Sequence, residues 1–233
     1  MIECPVCGTA NEDMHTTCVS CGSFVQGKVD ALDLFHTLWG LIEAPRRTFM
    51  RIVLARHKNY VILLSALFGI VLVFDFAWYR SLGGVFGGLI TLTGFAFFVG
   101  PFLGMLSLFL VSVALQQLTK VAGGHATLRN MYAVVSYATF PIASALVWIV
   151  PLELAVFGFA FFGTNPPPMI IKPAAYTTLI ALKSVLAVYA LYLLVEGAAA
   201  ANGLSGRQTI PVVLSVLLVV GGYVTTLQWM SVR

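Results

Sequence analysis

The feature that most constrains this 233-residue chain is the series of long apolar runs that begins at Tyr60. A helix needs about twenty mostly apolar residues to span the hydrocarbon core of a bilayer, with its backbone polar groups bonded inside the helix. Five runs reach that length. They are Tyr60–Trp78, Leu89–Leu118, Met131–Phe162, Ala174–Glu196 and Ile210–Trp229. The sequence therefore predicts an all-α membrane protein with five transmembrane helices.

The second and third runs are about thirty residues long, which is too long for one untilted span and too short for two. We expect one tilted or bent helix in each, with bends at Gly100–Pro101 in the second and at Pro141 or Pro151 in the third. Gly100 and Gly104 are four residues apart, and small residues at this spacing let helices approach closely. The spans are thus expected to form a compact bundle.

Charged residues make up only 9% of the chain, against roughly a quarter in an average soluble domain. Six of the thirteen Lys and Arg residues and six of the nine Asp and Glu residues precede Tyr60. This distribution predicts a polar head and a membrane body. We divide the chain into a head at 1–27, a juxtamembrane segment at 28–58 and a transmembrane domain at 59–233.

Positive charges between the spans predict the orientation, because cytoplasmic loops are enriched in Lys and Arg. With the N-terminus inside, nine Lys and Arg residues are cytoplasmic and three are external. The cytoplasmic ones are Lys28, Arg46, Arg47, Arg51, Arg56, Lys58, Lys120, Arg129 and Arg207. The external ones are Arg80, Lys172 and Arg233. We expect a cytoplasmic N-terminus and an external C-terminus.

The juxtamembrane segment is amphipathic and basic. Its apolar residues recur at helical spacing, at Leu34, Leu38, Leu41, Ile42, Phe49, Ile52 and Val53. Pro45 suits the first turn of a second helix, which carries four arginines. A basic amphipathic helix with Trp39 and Phe49 on its apolar side is typical of a segment lying along the inner membrane surface. Packing against the cytoplasmic ends of the spans is the alternative, and the two arrangements are compatible.

Two matching Cys-x-x-Cys-Gly motifs, Cys4 to Gly8 and Cys18 to Gly22, stand in the head, and ten residues separate Cys7 from Cys18. Four thiolates can enclose one Zn²⁺ tetrahedrally, and the glycine after each motif permits the positive φ that turns N–H groups toward sulfur. The predicted ligands are Cys4, Cys7, Cys18 and Cys21. We predict a minimal zinc ribbon, with His15 as the alternative ligand.

Other uses of these cysteines agree less well with the sequence. A cytoplasmic head meets reducing conditions, which disfavours disulfides, and a redox Cys-x-x-Cys needs a longer βαβ context. Residues 1–27 contain Glu3, Glu12 and Asp13 but no Lys or Arg, and four thiolates around one Zn²⁺ are doubly negative. Such a surface repels phosphates, so nucleic acid is not an expected partner.

Four ionisable residues fall inside the predicted spans, where an unpaired charge is costly. Asp75 and Glu196 lie near span ends, where water or headgroups would solvate them. Glu153 and Lys183 lie deeper, each nine residues from the outer end of its span. At 1.5 Å per residue this depth is about 13 Å for both, so we expect them to face each other. A structural ion pair is one interpretation, and a transport site is the other.

The sequence contains no motif of a known enzyme class. A phosphate-binding loop, His-Glu-x-x-His and Gly-x-Ser-x-Gly are missing, and His36, His57 and His125 are isolated near the predicted cytoplasmic surface. We therefore expect no catalytic residues.

Three segments carry short recognisable motifs. Leu41–Ile52 contains a Pro-x-x-Thr-Phe-x-x-Ile sequence before the first span. Gly123–Arg129 is followed by a Ser-Tyr-Ala-x-x-Pro sequence within Val135–Pro141, and Tyr189–Glu196 is followed by Gly203-Leu204-Ser205. Together they resemble the Yip-domain family of five-span membrane proteins, over roughly residues 30–230.

This resemblance implies five spans and no catalytic residue. Eukaryotic relatives interact with Rab-type GTPases in vesicle traffic, whereas a zinc ribbon on such a domain is typical of the bacterial or archaeal branch. We expect a non-enzymatic adaptor or organising protein of a bacterial or archaeal plasma membrane, whose ribbon binds a cytoplasmic protein or a second copy of the chain. A small transporter or channel using Glu153, Lys183 and Asp75 is the alternative, and a zinc-sensing regulator is a third hypothesis.

Overall fold

A computed structural model describes residues 1–4, 7–12, 15–20, 32–55, 57–204 and 207–215. In the head, β1 (Ile2–Glu3) and β2 (Ala10–Asn11) pair antiparallel, with Ile2 opposite Asn11. The first cysteine motif lies in the loop between these strands. A short hairpin thus presents that motif, while Cys21 and Gly22 lie outside the described residues.

Helices form most of the described chain. They are α1 (Leu34–Glu43), α2 (Pro45–Leu54), α3 (Val61–Tyr79), α4 (Gly83–Phe86), α5 (Leu89–Val121), α6 (Leu128–Ala138), α7 (Phe140–Phe157), α8 (Pro168–Ile171) and α9 (Pro173–Asn202). Four stretches of them are long and apolar enough to cross a membrane: α3, α5, α6 with α7, and α9. Residues 207–215 are also helical. The remainder of the fifth predicted span, 216–229, lies outside the described residues.

The third predicted span is interrupted where the sequence places a proline. α6 ends at Ala138 and α7 begins two residues later, with Thr139 between them. Pro141 stands in the first turn of α7, where its missing N–H removes no bond within the helix. The helix is therefore interrupted beside Pro141, where the sequence predicts a bend, whereas α5 and α7 continue as helices through Pro101 and Pro151.

Glycines allow α3 and α5 to approach very closely. A Cβ atom built on Gly69 of α3 would lie 2.6 Å from the Cα atom of Gly104 and would overlap the carbonyl oxygen of Gly100. A Cβ atom on Gly104 would likewise overlap the carbonyl oxygen of Ser65. The close packing expected at Gly100 and Gly104 is confirmed, and its partner is Gly69.

The juxtamembrane helices α1 and α2 pack against the bundle. Leu41, Phe49 and Ile52 are fully buried and share a core with side chains of α3, α6 and α9. Tyr189 of α9 donates a hydrogen bond of 3.0 Å to the Leu41 carbonyl. Trp39, by contrast, is exposed. Phe49 thus follows the alternative given by the sequence, packing against the ends of the spans, whereas Trp39 stays exposed, so the two side chains do not share one apolar side.

Lys58 joins the end of α2 to the start of α3. Its ammonium group donates to the carbonyls of Ile52 at 2.7 Å, Val53 at 3.0 Å and Ala55 at 3.3 Å. Ile52 and Val53 belong to the last turn of α2 and Ala55 follows it, and the last carbonyls of a helix have no N–H partner within the helix. Burial, and then the charge of Arg129, lower the pKa of Lys58 to about 8. The lysine therefore caps α2 at a cost in desolvation.

Candidate functional site

Three cysteine sulfurs of the head lie close together. The Sγ atoms of Cys4, Cys7 and Cys18 are all within 4.8 Å of one another, and those of Cys7 and Cys18 are 3.5 Å apart. Cys4 and Cys18 are buried, whereas Cys7 is exposed. Cys21, the fourth predicted ligand, lies outside the described residues. His15 is not a member of this group of mutually close ligand atoms.

The geometry around the sulfurs fits a tetrahedral zinc site. With Zn–S bonds of about 2.3 Å, neighbouring sulfurs of a tetrahedron lie about 3.8 Å apart, close to the spacing found here. Gly8 has φ of 71°, so the positive φ expected after the first motif is confirmed. The side-chain amide of Asn11 and the Ser20 N–H approach the Cys18 sulfur at 3.6 and 3.4 Å, and such donors stabilise a thiolate.

A zinc ion held there would have a structural role. It would tie the hairpin to residues 15–20 and stabilise a head that is too small to bury a core of its own. Three thiolates leave one position of a tetrahedron for a fourth ligand. The three described cysteines could therefore bind a metal, and the sequence assigns the fourth position to Cys21.

Inside the bundle, Lys183 of α9 contacts two carboxylates, and we call the three residues the ion triad. Its Nζ atom donates to Asp75 Oδ1 of α3 at 2.6 Å and to Glu153 Oε2 of α7 at 2.9 Å. Glu153 Oε1 also lies 2.8 Å from Nζ. Glu153 is 1% exposed, and the Asp75 side chain is 35% exposed. The expected contact between Glu153 and Lys183 is present.

Asp75 lies near the end of its helix, as expected, and its side chain is 35% exposed. Solvation alone does not describe it, because its carboxylate makes the shortest contact of the triad. The helix bounds of the structure, unlike the predicted span ends, reveal a shared position: Asp75 and Glu153 each precede the last residue of their helix, Tyr79 or Phe157, by four positions. At 1.5 Å per residue both lie about 6 Å from those helix ends, so they share a depth.

Glu196 takes no part in the triad. It stands 13 residues beyond Lys183 on α9, which is about 20 Å along the helix axis. With its three groups ionised, the triad therefore has two carboxylates for one ammonium and carries one net negative charge. Three helices, α3, α7 and α9, are tied together by it.

A cleft of about 470 Å³ opens beside the triad, between α3 and α9 with α7 behind them. Its walls are largely apolar, and Asp75 and Lys183 are the ionisable groups other than Tyr79 that line it. The exposed part of the Asp75 side chain faces this cleft. The arrangement can hold a positive charge in the membrane, and it places one carboxylate where a small cation or water can reach it.

The motif residues identified in the sequence make structural contacts. Ser136 lies 3.0 Å from Ser65, oxygen to oxygen, and Tyr137 donates to the Asn59 carbonyl at 2.7 Å. Asn202 accepts a hydrogen bond from the Ala126 N–H at 3.1 Å. These bonds join α3, α6, α9 and the loop before α6. The motif residues therefore hold the helices together through these contacts.

The long apolar helices and the ion triad between them define an integral membrane protein. The chain matches the family model of the Yip1 domain over residues 39–227. It therefore belongs to the Yip1 domain family, as the resemblance predicted. No curated protein and no solved structure showed a significant match. The matched range contains the triad and the motif contacts, whereas the cysteine cluster precedes it.

Proposed function

We propose that this protein is a non-enzymatic adaptor or organising protein whose N-terminal zinc ribbon binds a protein partner at the cytoplasmic face of a bacterial or archaeal plasma membrane. The observation that carries the proposal is the group of three close cysteine sulfurs, which precedes the matched Yip1 domain. A metal-stabilised module of this size has little room for a pocket of its own. Such a module binds through its outer surface, and a protein is the kind of partner that binds such a surface.

Charge supports a protein partner over nucleic acid. Residues 1–27 carry three acidic residues and no Lys or Arg, and a site of four thiolates with zinc adds negative charge. A second copy of the chain satisfies the same requirement as a different protein. The proposed orientation, with the ribbon inside and the C-terminus outside, rests on the nine-to-three distribution of Lys and Arg and on a fifth span at Ile210–Trp229.

The absence of catalysis is part of the proposal. Several buried hydroxyl and amide groups of the bundle are engaged in bonds to backbone carbonyls or to each other, as with Ser65, Ser112 and Gln116. Such groups hold helices together and are not poised for reaction. A scaffold that presents a separate module to the cytoplasm needs no reactive group.

A transporter or channel is the second candidate, and the ion triad with its cleft favours it. A partly exposed carboxylate beside a buried ion pair resembles the intramembrane sites that bind protons or cations. In that case Asp75 would accept the cation, and Lys183 and Glu153 would balance the charge.

One pair of assays separates the two functions. For an adaptor, a protein partner should co-purify in stoichiometric amount from native membranes with the intact chain and not with Cys18→Ser. For a transporter, the purified chain in liposomes should show an ion or solute flux that Asp75→Asn abolishes. Flux without any co-purifying protein would replace the adaptor with the transporter.

A further inference from the structure

Two arginines at the start of α2 have no partner in the described part of the chain. Arg46 and Arg47 are exposed, and neither makes an ion pair or a side-chain hydrogen bond there. Arg51, one turn further along the helix, lies 3.0 Å from His36. Among the residues that the structure describes, no acidic side chain pairs with either arginine, so both present a full positive charge there.

These arginines line a cavity of about 380 Å³ between α2 and the end of α9. Met50, Ala199, Ala200 and Gly203 form the rest of its lining, and none of them is charged. The carbonyl end of α9 brings a partial negative charge of about one half, which the two guanidinium groups outweigh. The cavity therefore carries a net positive charge and is otherwise lined by uncharged residues, so an anion is the ligand that suits it.

Backbone donors of the same residues add to the charge. Pro45 is the first residue of α2, Ala44 provides no side-chain cap, and the first bond within the helix runs from Thr48 N–H to the Ala44 carbonyl at 3.0 Å. The N–H groups of Arg46 and Arg47 precede that bond and have no acceptor within the helix. Donors of this kind suit a phosphate group.

An exposed apolar stripe on α1 indicates the kind of anion. Phe35, Trp39 and Ile42 are 82%, 61% and 54% exposed, and their spacing puts them on one face of the helix. α1 meets α9 at Tyr189, ten residues before Ala199, so this contact lies up to about 15 Å along α9 from the cavity. An exposed apolar stripe on the helix that precedes two arginines offers a phospholipid a surface for its acyl chains and positive charge for its headgroup.

We propose that Arg46 and Arg47 bind the phosphate headgroup of an anionic phospholipid, whose acyl chains lie against Phe35, Trp39 and Ile42. Arginine pairs with phosphate through two parallel N–H···O bonds. In a zwitterionic headgroup the negative charge of the phosphate is already balanced by the ammonium group of the same lipid. A soluble phosphate compound could pair with the arginines but has no apolar group to contact the stripe. A phospholipid can do both.

The test uses the purified full chain in detergent, titrated with dioctanoyl phosphatidylglycerol and followed by native mass spectrometry. Arg46→Gln and Arg47→Gln should each weaken binding about fivefold, because one basic side chain near a bilayer surface contributes about this much. Lys120→Gln is the matched control, since it removes one exposed charge at the end of α5 and should leave binding unchanged. Both arginines are exposed, so the variants should keep their helicity in circular dichroism.

Three results would overturn the proposal. Equal loss in Lys120→Gln would mean a general charge effect, and equal binding of dioctanoyl phosphatidylcholine would mean an apolar surface without headgroup selectivity. Competition by inorganic phosphate as strong as that by the lipid would mean a soluble-anion site. Trp39→Ala separates a lipid site from a soluble-anion site. On the proposal, this variant should weaken the binding of phosphatidylglycerol and leave the binding of inorganic phosphate unchanged.

Discussion

The ion triad gives the sharpest prediction of stability, because its three members differ in burial. Lys183→Met removes the one cation and leaves two carboxylates facing each other, one of them 1% exposed. Removing one partner of a buried ion pair costs about 3–5 kcal/mol, mainly because the other charge is stranded. We expect a loss in that range for Lys183→Met.

Glu153→Gln should cost much less than Lys183→Met. The Asp75 carboxylate remains 2.6 Å from Nζ, so Lys183 stays paired and the site becomes neutral overall. The loss is one charge-assisted hydrogen bond, below about 2 kcal/mol. In the double variant only Asp75 is left charged, and it is partly exposed, so Glu153→Gln should recover at least about 1 kcal/mol when added to Lys183→Met.

The measurement is the free energy of unfolding in mixed micelles titrated with dodecyl sulfate and followed by helical circular dichroism. Glu196→Gln is the control, since Glu196 lies outside the triad. If Glu153→Gln is as damaging as Lys183→Met, or if the double variant is no more stable than Lys183→Met alone, the charge balance described above is wrong.

Three further predictions follow from single contacts. Gly104→Ala should destabilise the protein by about 1–3 kcal/mol through overlap with Ser65, whereas Gly94→Ala on the same helix, with no atom near its added Cβ, should be neutral or stabilising; equal melting temperatures would refute this. Because the pKa of Lys58 falls from 10.5 to about 8 in the folded protein, the unfolded chain binds more protons between those values. Thermal stability should therefore rise with pH from about 8 to about 10, and Lys58→Met should flatten the rise; a wild-type curve that falls across this range would contradict the burial of Lys58. Cys18→Ser should abolish stoichiometric zinc in elemental analysis and leave a monodisperse helical protein, because the bundle is held by its own backbone bonds and packing; zinc retained at one ion per chain, or aggregation of the variant, would count against the ribbon as a separate module.

Features that depend on local pattern could be predicted from the sequence. Four of the spans follow from hydropathy because a bilayer accepts only helices of sufficient length, and the break before Pro141 follows from the proline ring. The approach of three cysteine sulfurs follows from two short motifs whose spacing constrains the loop. In each case neighbours along the chain determine the geometry.

Features that depend on which helix lies beside which could not be predicted in the same way. Gly69 has no glycine partner within its own helix at contact spacing, and only the packing of α3 on α5 gives it a role. Asp75 looked like a solvated helix end until α9 placed Lys183 beside it. The separation of Trp39 from Phe49 depends on the turn at Ala44, which periodicity alone does not resolve.

The central claim is that the head binds a protein partner, and photo-crosslinking in native membranes tests it most directly. A photoreactive residue at Val19, which is 67% exposed on the head, should form an adduct with one protein, and the adduct should disappear when Cys4→Ser removes the metal site. The control is Val85 in α4, which is 77% exposed, follows the end of α3 remote from α2, and should form none. No adduct at Val19, with a flux in liposomes that depends on Asp75, would contradict the adaptor and establish the transporter.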